Sequence, residues 1–259
     1  MTGSIARLTT TLATLALGAL LLLTPRTAHA QRQLLTPTGG KGTLAIDNIT
    51  GLRVNAFSGI SYAGPLGIST SRYSVDPLAP GDPNQTFHST TIWLAPAADY
   101  FLIDHLSIGG FVEVASVSGS VDSSLPGIGT VNNDLPTTTN FTLLPRIGYL
   151  IPIGDRFAIW PRGGIGYAYR GTSSLTGVGG RGGGGGVVTN KDSFSALVID
   201  VNVDFLFRIN ETFFLVGAPE LGASLGGSHT NTQGGIQRSS NANVLQFSVL
   251  TGLGIFFDL

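Results

Sequence analysis

The sequence predicts an all-β chain, an eight-stranded antiparallel up-and-down transmembrane β-barrel preceded by a cleaved signal peptide. Three observations carry this. Large apolar residues alternate with small or polar ones at period 2 along most of the chain, the signature of strands with one apolar face. The stretches that alternate are joined by connections that are short and long by turns. Only 11% of the 259 residues are charged, too few to cover an ordinary soluble surface.

Composition also excludes classes of function. Lys occurs only at Lys41 and Lys191 and the formal net charge is -1, so no basic patch is available for nucleic acid. A mean hydropathy of +0.29 is too apolar for wholesale disorder. The absence of Cys removes disulfides and Cys-ligated metal sites.

The chain divides into three segments. Residues 1–30 read as a signal peptide: Arg7 in a polar start, a Leu- and Ala-dominated run from Leu12 to Leu23, and Ala28-His29-Ala30 before the cut. That apolar run is too short to anchor well across ~30 Å of hydrocarbon. Its removal takes away Arg7 and Arg26 and leaves 12 Lys+Arg against 15 Asp+Glu, a net charge of -3. Residues 31–42 are expected to be a flexible N-terminal segment, and 43–259 the barrel.

Strands are predicted near 51–63, 89–103, 106–117, 139–151, 156–170, 193–209, 212–226 and 243–259. In the last, Leu245, Phe247, Val249, Thr251, Leu253, Ile255, Phe257 and Leu259 share one face, against Gln246, Ser248, Gly252, Gly254 and Asp258. In 193–209, Leu197, Ile199, Val201, Val203, Phe205 and Phe207 oppose Asp200, Asn202, Asp204 and Arg208. Asp104-His105, Pro152 to Asp155 and Asn210-Glu211 are tight turns, whereas 64–88, 118–138, 171–192 and 227–242 are long loops rich in Gly, Pro, Ser, Thr and Asn. Strict alternation of the two kinds is what a barrel between two compartments requires.

Bulk decides which face is inside. An eight-stranded barrel has room only for side chains or one small ligand, so about five large apolar residues per strand must face outward. Tyr100, Tyr149, Phe157, Phe207, Phe213 and Phe257 fall near the short-turn rim, and Tyr62, Phe141, Tyr167, Tyr169 and Phe247 near the other, as two interfacial girdles would. A motif recurs at Pro96, Pro145, Pro161 and Pro219, each outward with the next residue inward. Because proline cannot donate to a ladder, bulges or bends are expected there.

On the signal peptide, the strand count, the loop asymmetry and the ending Leu253-Gly254-Ile255-Phe256-Phe257-Asp258-Leu259, residues 43–259 resemble the OmpA-type eight-stranded bacterial outer-membrane β-barrel superfamily. The resemblance implies a Gram-negative outer membrane as location, with its lipid and lipopolysaccharide as surroundings. It also implies periplasmic chaperones and the barrel assembly machinery as partners, with Leu253, Ile255, Phe257 and Leu259 as the assembly signal; Leu259 stands where Phe is commoner. A monomer is expected, with no peptidoglycan-binding domain after the barrel.

By alternation the lumen receives Arg53, Asp99, Glu113, Arg146, Arg162, Asp200, Asp204 and Glu220. Opposite signs there should pair, because unpaired charge in a narrow interior is costly. The set reads either as a structural plug or as the constriction of a small channel, and Arg146 and Arg162 are expected to share one layer with Asp200, Asp204 and Glu220. His88, His105 and His229 have no spacing that assembles a metal site. His88-Ser89-Thr90 fails as a nucleophile–base pair, because adjacent strand residues face opposite ways. Gly177 to Gly186 lacks the Gly-Lys-Ser/Thr ending of a phosphate loop and reads as surface. No catalytic residue, cofactor or metal is expected. The sequence favours a non-enzymatic envelope structural or surface-interaction protein, ahead of a narrow porin-like channel for small ions or solutes and a lipid-modifying outer-membrane enzyme.

Overall fold

A computed structural model of the chain describes residues 39–54, 61–75, 84–125, 129–178 and 186–259. The signal peptide 1–30, most of the 31–42 segment and the centre of the Gly177 to Gly186 run lie outside them. In chain order the strands are β1 (Thr43–Val54), β2 (Ser61–Ala63), β3 (Leu66–Val75), β4 (Asn84–Leu94), β5 (Ala97–Ile103), β6 (Leu106–Leu125) and β7 (Gly129–Tyr149). They continue with β8 (Ile151–Pro152), β9 (Phe157–Val178), β10 (Gly186–Arg208), β11 (Phe213–Gln233), β12 (Ile236–Ala242) and β13 (Leu245–Asp258). Ladders run β1-β13-β11-β10-β9-β7-β6, and β5 pairs with both β6 and β1, which closes the ring. Every ladder is antiparallel. Because β4 and β5 continue each other in one register along β6, as β12 and β13 do along β11 apart from a one-residue slip, the ring has eight staves.

The structure corrects three expectations. The first stave is Thr43–Val54, not 51–63; residues 61–63 turn back on it as β2. Thr43, Ala45 and Asp47 are buried and alternate with half-buried Leu44, Ile46 and Asn48, so the period-2 signal begins eight residues before the predicted start. The described parts of 64–88, 118–138, 171–192 and 227–242 are not loops but long hairpins, β3–β4, β6–β7, β9–β10 and β11–β12, that carry the staves past the apolar belt. Ser, Thr and Asn read as loop residues, yet no described residue of these extensions is buried, so the contrast of a buried and an exposed face that marks a strand is missing from them. Paired hydroxyls such as Ser74–Thr86 at 3.1 Å and Ser124–Thr130 at 2.8 Å link their strands.

The third correction concerns proline. Pro145, Pro161 and Pro219 each sit where one ladder skips two pairs and then resumes in the same register, and the register also passes Ala95-Pro96 unshifted. No bulge forms at any of them, because pairs on both sides hold the strand while one donor is missing. The slip in the β1–β13 ladder lies elsewhere, between Ile46 and Thr50. There Asn48 fills the Pro96 gap: its Nδ2 donates to Ala95 O at 2.6 Å, and its Oδ1 accepts from Ala97 N at 3.3 Å.

The described end of the N-terminal segment is tied to the short-turn rim. His105 N donates to Gly39 O at 2.8 Å and Gly42 N to Phe101 O at 2.9 Å. Gly39, at φ 78°, lies against the Phe101 ring, where a Cβ would come within 2.8 Å of Cε1.

Candidate functional site

Strand alternation aims one residue in two at the lumen. On β7 these are Asn140, Thr142, Leu144 and Arg146; on β9, Trp160 and Arg162; on β10, Asp200, Asn202 and Asp204; all are buried. Asp99 comes from β5, Glu113 from β6 and Glu220 from β11, each at most 3% exposed. Arg53 lies on β1, with its side chain outside the described set.

Two arginines and three aspartates form one layer. Arg146 Nε donates to Asp99 Oδ2 at 3.0 Å, and its Nη2 donates to Asp99 and, at 2.9 Å, to Asp47 Oδ2. Arg162 Nη1 bonds Asp47 and, at 3.0 Å, Asp99 Oδ2, while its Nη2 bonds Asp204. Asn202 Nδ2 donates to Asp204 Oδ1 at 2.9 Å. The layer thus ties β1, β5, β7, β9 and β10 through charge-assisted bonds, the strongest kind.

The expected layer is corrected in membership. Asp200 and Glu220 are buried and hold interactions of their own, but the carboxylates paired with the two arginines are Asp47, Asp99 and Asp204. Alternation gives a residue's face, not its height. Four residues along β10 separate Asp200 from Asp204 by about 13 Å at ~3.3 Å per residue. Asp47 lies outside the predicted first strand and so is absent from the expected set. Buried Arg208, at the end of β10, falls on the predicted inward face but outside the predicted lumen charges.

The lumen is also more apolar than a charge plug implies. Toward the short turns, Trp160, Phe101, Phe214, Leu206, Leu150, Val216 and Phe256 pack into one cluster. Toward the hairpins, Trp93, Phe111, Leu144 and Val198 anchor a second, with Ala95, Ala97, Ala115, Ala168 and Ala196. The ion layer lies between them and joins the lower cluster through Trp160, whose ring has Arg162 Cζ 4.5 Å from its centroid. Trp160 Nε1 donates to Ser107 Oγ at 3.2 Å. This approach requires Gly148, where a Cβ would stand 2.6 Å from both Arg162 Cγ and Trp160 Nε1.

Outward residues have the opposite character. Ile108, Leu143, Ile147, Ile165, Leu197, Val201, Phe205, Leu215, Leu221 and Val249 are exposed around the ring. Tyr100, Tyr149, Phe157, Phe213 and Phe257 are exposed at the short-turn end, and Phe141, Tyr167, Tyr169 and Phe247 farther up. Of the four residues expected to form an assembly signal, Phe257 and Leu259 are exposed, whereas Leu253 and Ile255 are half-buried.

Histidines stand apart from this layer. His88 Nε2 lies 3.2 Å from Asp122 Oδ2, and His229 Nε2 lies 2.9 Å from Asp192 Oδ1, on separate hairpins. Among the described residues no three His, Cys, Asp or Glu side chains group as a metal site.

No protein-family model matches the chain, and no curated protein does either. Among solved structures, the chain is similar to the outer membrane protein OprG from Pseudomonas aeruginosa, at 12% identity and a TM-score of 0.39, over 85% of this chain and 99% of that one. The chain is an all-β, closed, eight-stave antiparallel barrel on the strength of its own strand pairing.

Proposed function

We propose that the chain is a bacterial outer-membrane barrel with a closed lumen, serving an envelope structural or surface-interaction role without enzymatic activity. One observation carries this reading: the ring is apolar outside and ion-paired inside, the inverse of a soluble protein. Ile147, Ile165 and Val249 are each more than half exposed, while Asp99 and Asp204 are at most 1% exposed. Lipid is the solvent such an exterior matches, and a closed barrel leaves no unpaired backbone edge within hydrocarbon. The two apolar clusters and the salt-bridged layer support a structural plug over a channel, since they fill successive levels of the lumen. The hairpin extensions, polar and exposed, are the surface for contact with other molecules.

In the same reading, Leu253, Ile255, Phe257 and Leu259 serve as the signal for the barrel assembly machinery, after passage with periplasmic chaperones. The finished barrel sits among outer-membrane lipid and lipopolysaccharide.

Planar-bilayer conductance of the refolded protein is the test. Insertion without discrete conductance is expected. Stable ion-selective steps from the parent protein would replace the closed reading with the narrow channel, and hydrolysis or acyl transfer on added lipid A would replace it with the enzyme.

A further inference from the structure

Just above the belt, the ladders set three outward rungs side by side across five strands. The lowest holds Phe141 on β7, Tyr169 on β9, Ser195 on β10, Ser228 on β11 and Asn241 on β12. Two residues farther along each strand the rung is Thr139, Gly171, Ser193, Thr230 and Ser239. Two beyond that it is Thr137, Ser173, Lys191, Thr232 and Gln237. Period 2 keeps all three on the face that Phe141 and Tyr169 share. On β7 and β9 that face turns from aromatic to small or hydroxyl-bearing in one step.

The upper two rungs line a groove of about 340 Å³ with Lys191 on its middle strand, a size that suits a small-ligand site. Lys191, Ser173, Thr139 and Gln237 are exposed, so the groove is open. Lys191 is the single charge in the three rungs. Asp192 borders the groove too, but its carboxylate lies against His229 Nε2 at 2.9 Å. Gly171 is bare because of its neighbour: a Cβ there would come within 2.5 Å of the Tyr169 hydroxyl. The Tyr169 ring thus leans across Gly171 and carries its hydroxyl from the aromatic rung up into the groove.

One cation among hydroxyls and an amide suits an anion attached to a polyhydroxyl body. Lysine binds phosphate as a point charge, and protein hydroxyls both donate to and accept from those of a sugar. Height names the source. Tyrosine at a membrane interface sits at headgroup level, so in the membrane reading the groove begins where hydrocarbon ends and faces the headgroups of the outer leaflet.

We propose that this groove binds the phosphorylated saccharide headgroup of lipopolysaccharide in the surrounding leaflet, with Lys191 against a phosphate and the flanking hydroxyls against the sugar. The inference rests on the membrane reading, and it gives that lipid a fixed place on the wall.

The test uses full-length refolded protein. Flotation with phosphatidylcholine vesicles is measured first; failure to float overturns the membrane reading, and the site with it. Protein that floats is extracted into nonionic detergent and titrated with lipopolysaccharide, and bound glycolipid is counted by native mass spectrometry. Saturable binding of one glycolipid is expected. Lys191→Ala should weaken it about fivefold, the worth of one lysine beside an anionic surface. Lys191→Arg should stay within about twofold, and so should Lys41→Ala at the opposite rim. Phosphatase-treated lipopolysaccharide should bind the parent as weakly as the intact glycolipid binds Lys191→Ala, and should no longer distinguish the two proteins. Ser193→Phe and Ser173→Phe fill the groove; each that keeps heat-modifiable migration should cut binding of both glycolipids at least tenfold. Absence of saturable binding, equal affinity of parent and Lys191→Ala, or parent affinity in a folded groove-filling variant overturns the site while leaving the membrane reading intact.

Discussion

The same staves form two halves, an apolar-faced belt and polar extensions, that obey opposite rules. Below, around the belt, β7 alternates without exception from Asn140 to Tyr149, buried inside and exposed outside. Above, β3 is exposed at every position but Gly67, and β12 at every position but Ala242. The lower half has a core, two apolar clusters around an ion layer. The upper half is held by backbone ladders and hydroxyl pairs such as Ser71–Ser89. A strand therefore needs no hydrophobic face to continue once its neighbour continues beside it. The faces below fix the register, and the hairpins inherit it.

That contrast can be broken most severely at the ion layer. Arg162→Ala leaves Asp47, Asp99 and Asp204 short of a shared partner, and a loss of about 3 to 5 kcal/mol is expected for an uncompensated buried charge. Urea unfolding in vesicles measures it. Adding Asp204→Asn should recover part of the loss; an additive second loss would mean that the two groups do not interact.

Next comes one substitution placed in each half. Ile165→Arg, on the belt, is expected to cost about 2 to 4 kcal/mol if that face meets lipid. Asn133→Arg, on the exposed extension of β7, should change stability by less than about 0.5 kcal/mol. Equal effects in vesicle-refolding equilibria would erase the distinction between the halves.

Gly148→Ala probes the close approach inside the belt. The added methyl must displace Arg162, Trp160 or Ser107, and overpacking of this kind costs about 1 to 3 kcal/mol. Trp fluorescence should report the shift, because the added methyl would stand 2.6 Å from Nε1 of the Trp160 indole. The smallest effect belongs to the extensions: Ser74→Ala, which removes the exposed pair with Thr86, should stay within about 0.5 kcal/mol in the same unfolding assay.

Much of the barrel is legible because period 2 is a direct consequence of pleated geometry in a two-sided environment. Residues 193–209 and 243–259 state both faces outright, and β10 and β13 follow them. Where neither face is buried the signal vanishes, so Ser, Thr, Asn and Gly in the described parts of 118–138 resemble a loop while forming β6 and β7. Proline misleads in a different way. Its missing donor is a local loss, whereas register belongs to every pair along the stave, and the pairs flanking Pro145 and Pro219 keep it.

Sequence alone determined the class of the fold and the inward face of Arg146, Arg162, Asp99 and Asp204, since alternation and the volume of the apolar set leave one way to close the ring. It determined the placement of the tight turns as well. Only tertiary structure decided which charges meet. Height around a barrel depends on strand tilt and on the register of every neighbouring ladder, so Asp47 from the far side of the chain reaches both arginines while Asp200, on the strand of Asp204, is not among their partners. The aromatic filling was decided in the same way: Phe101, Phe214 and Phe256 each follow or precede another large apolar residue, and closure of the ring chose which of each pair turned inward.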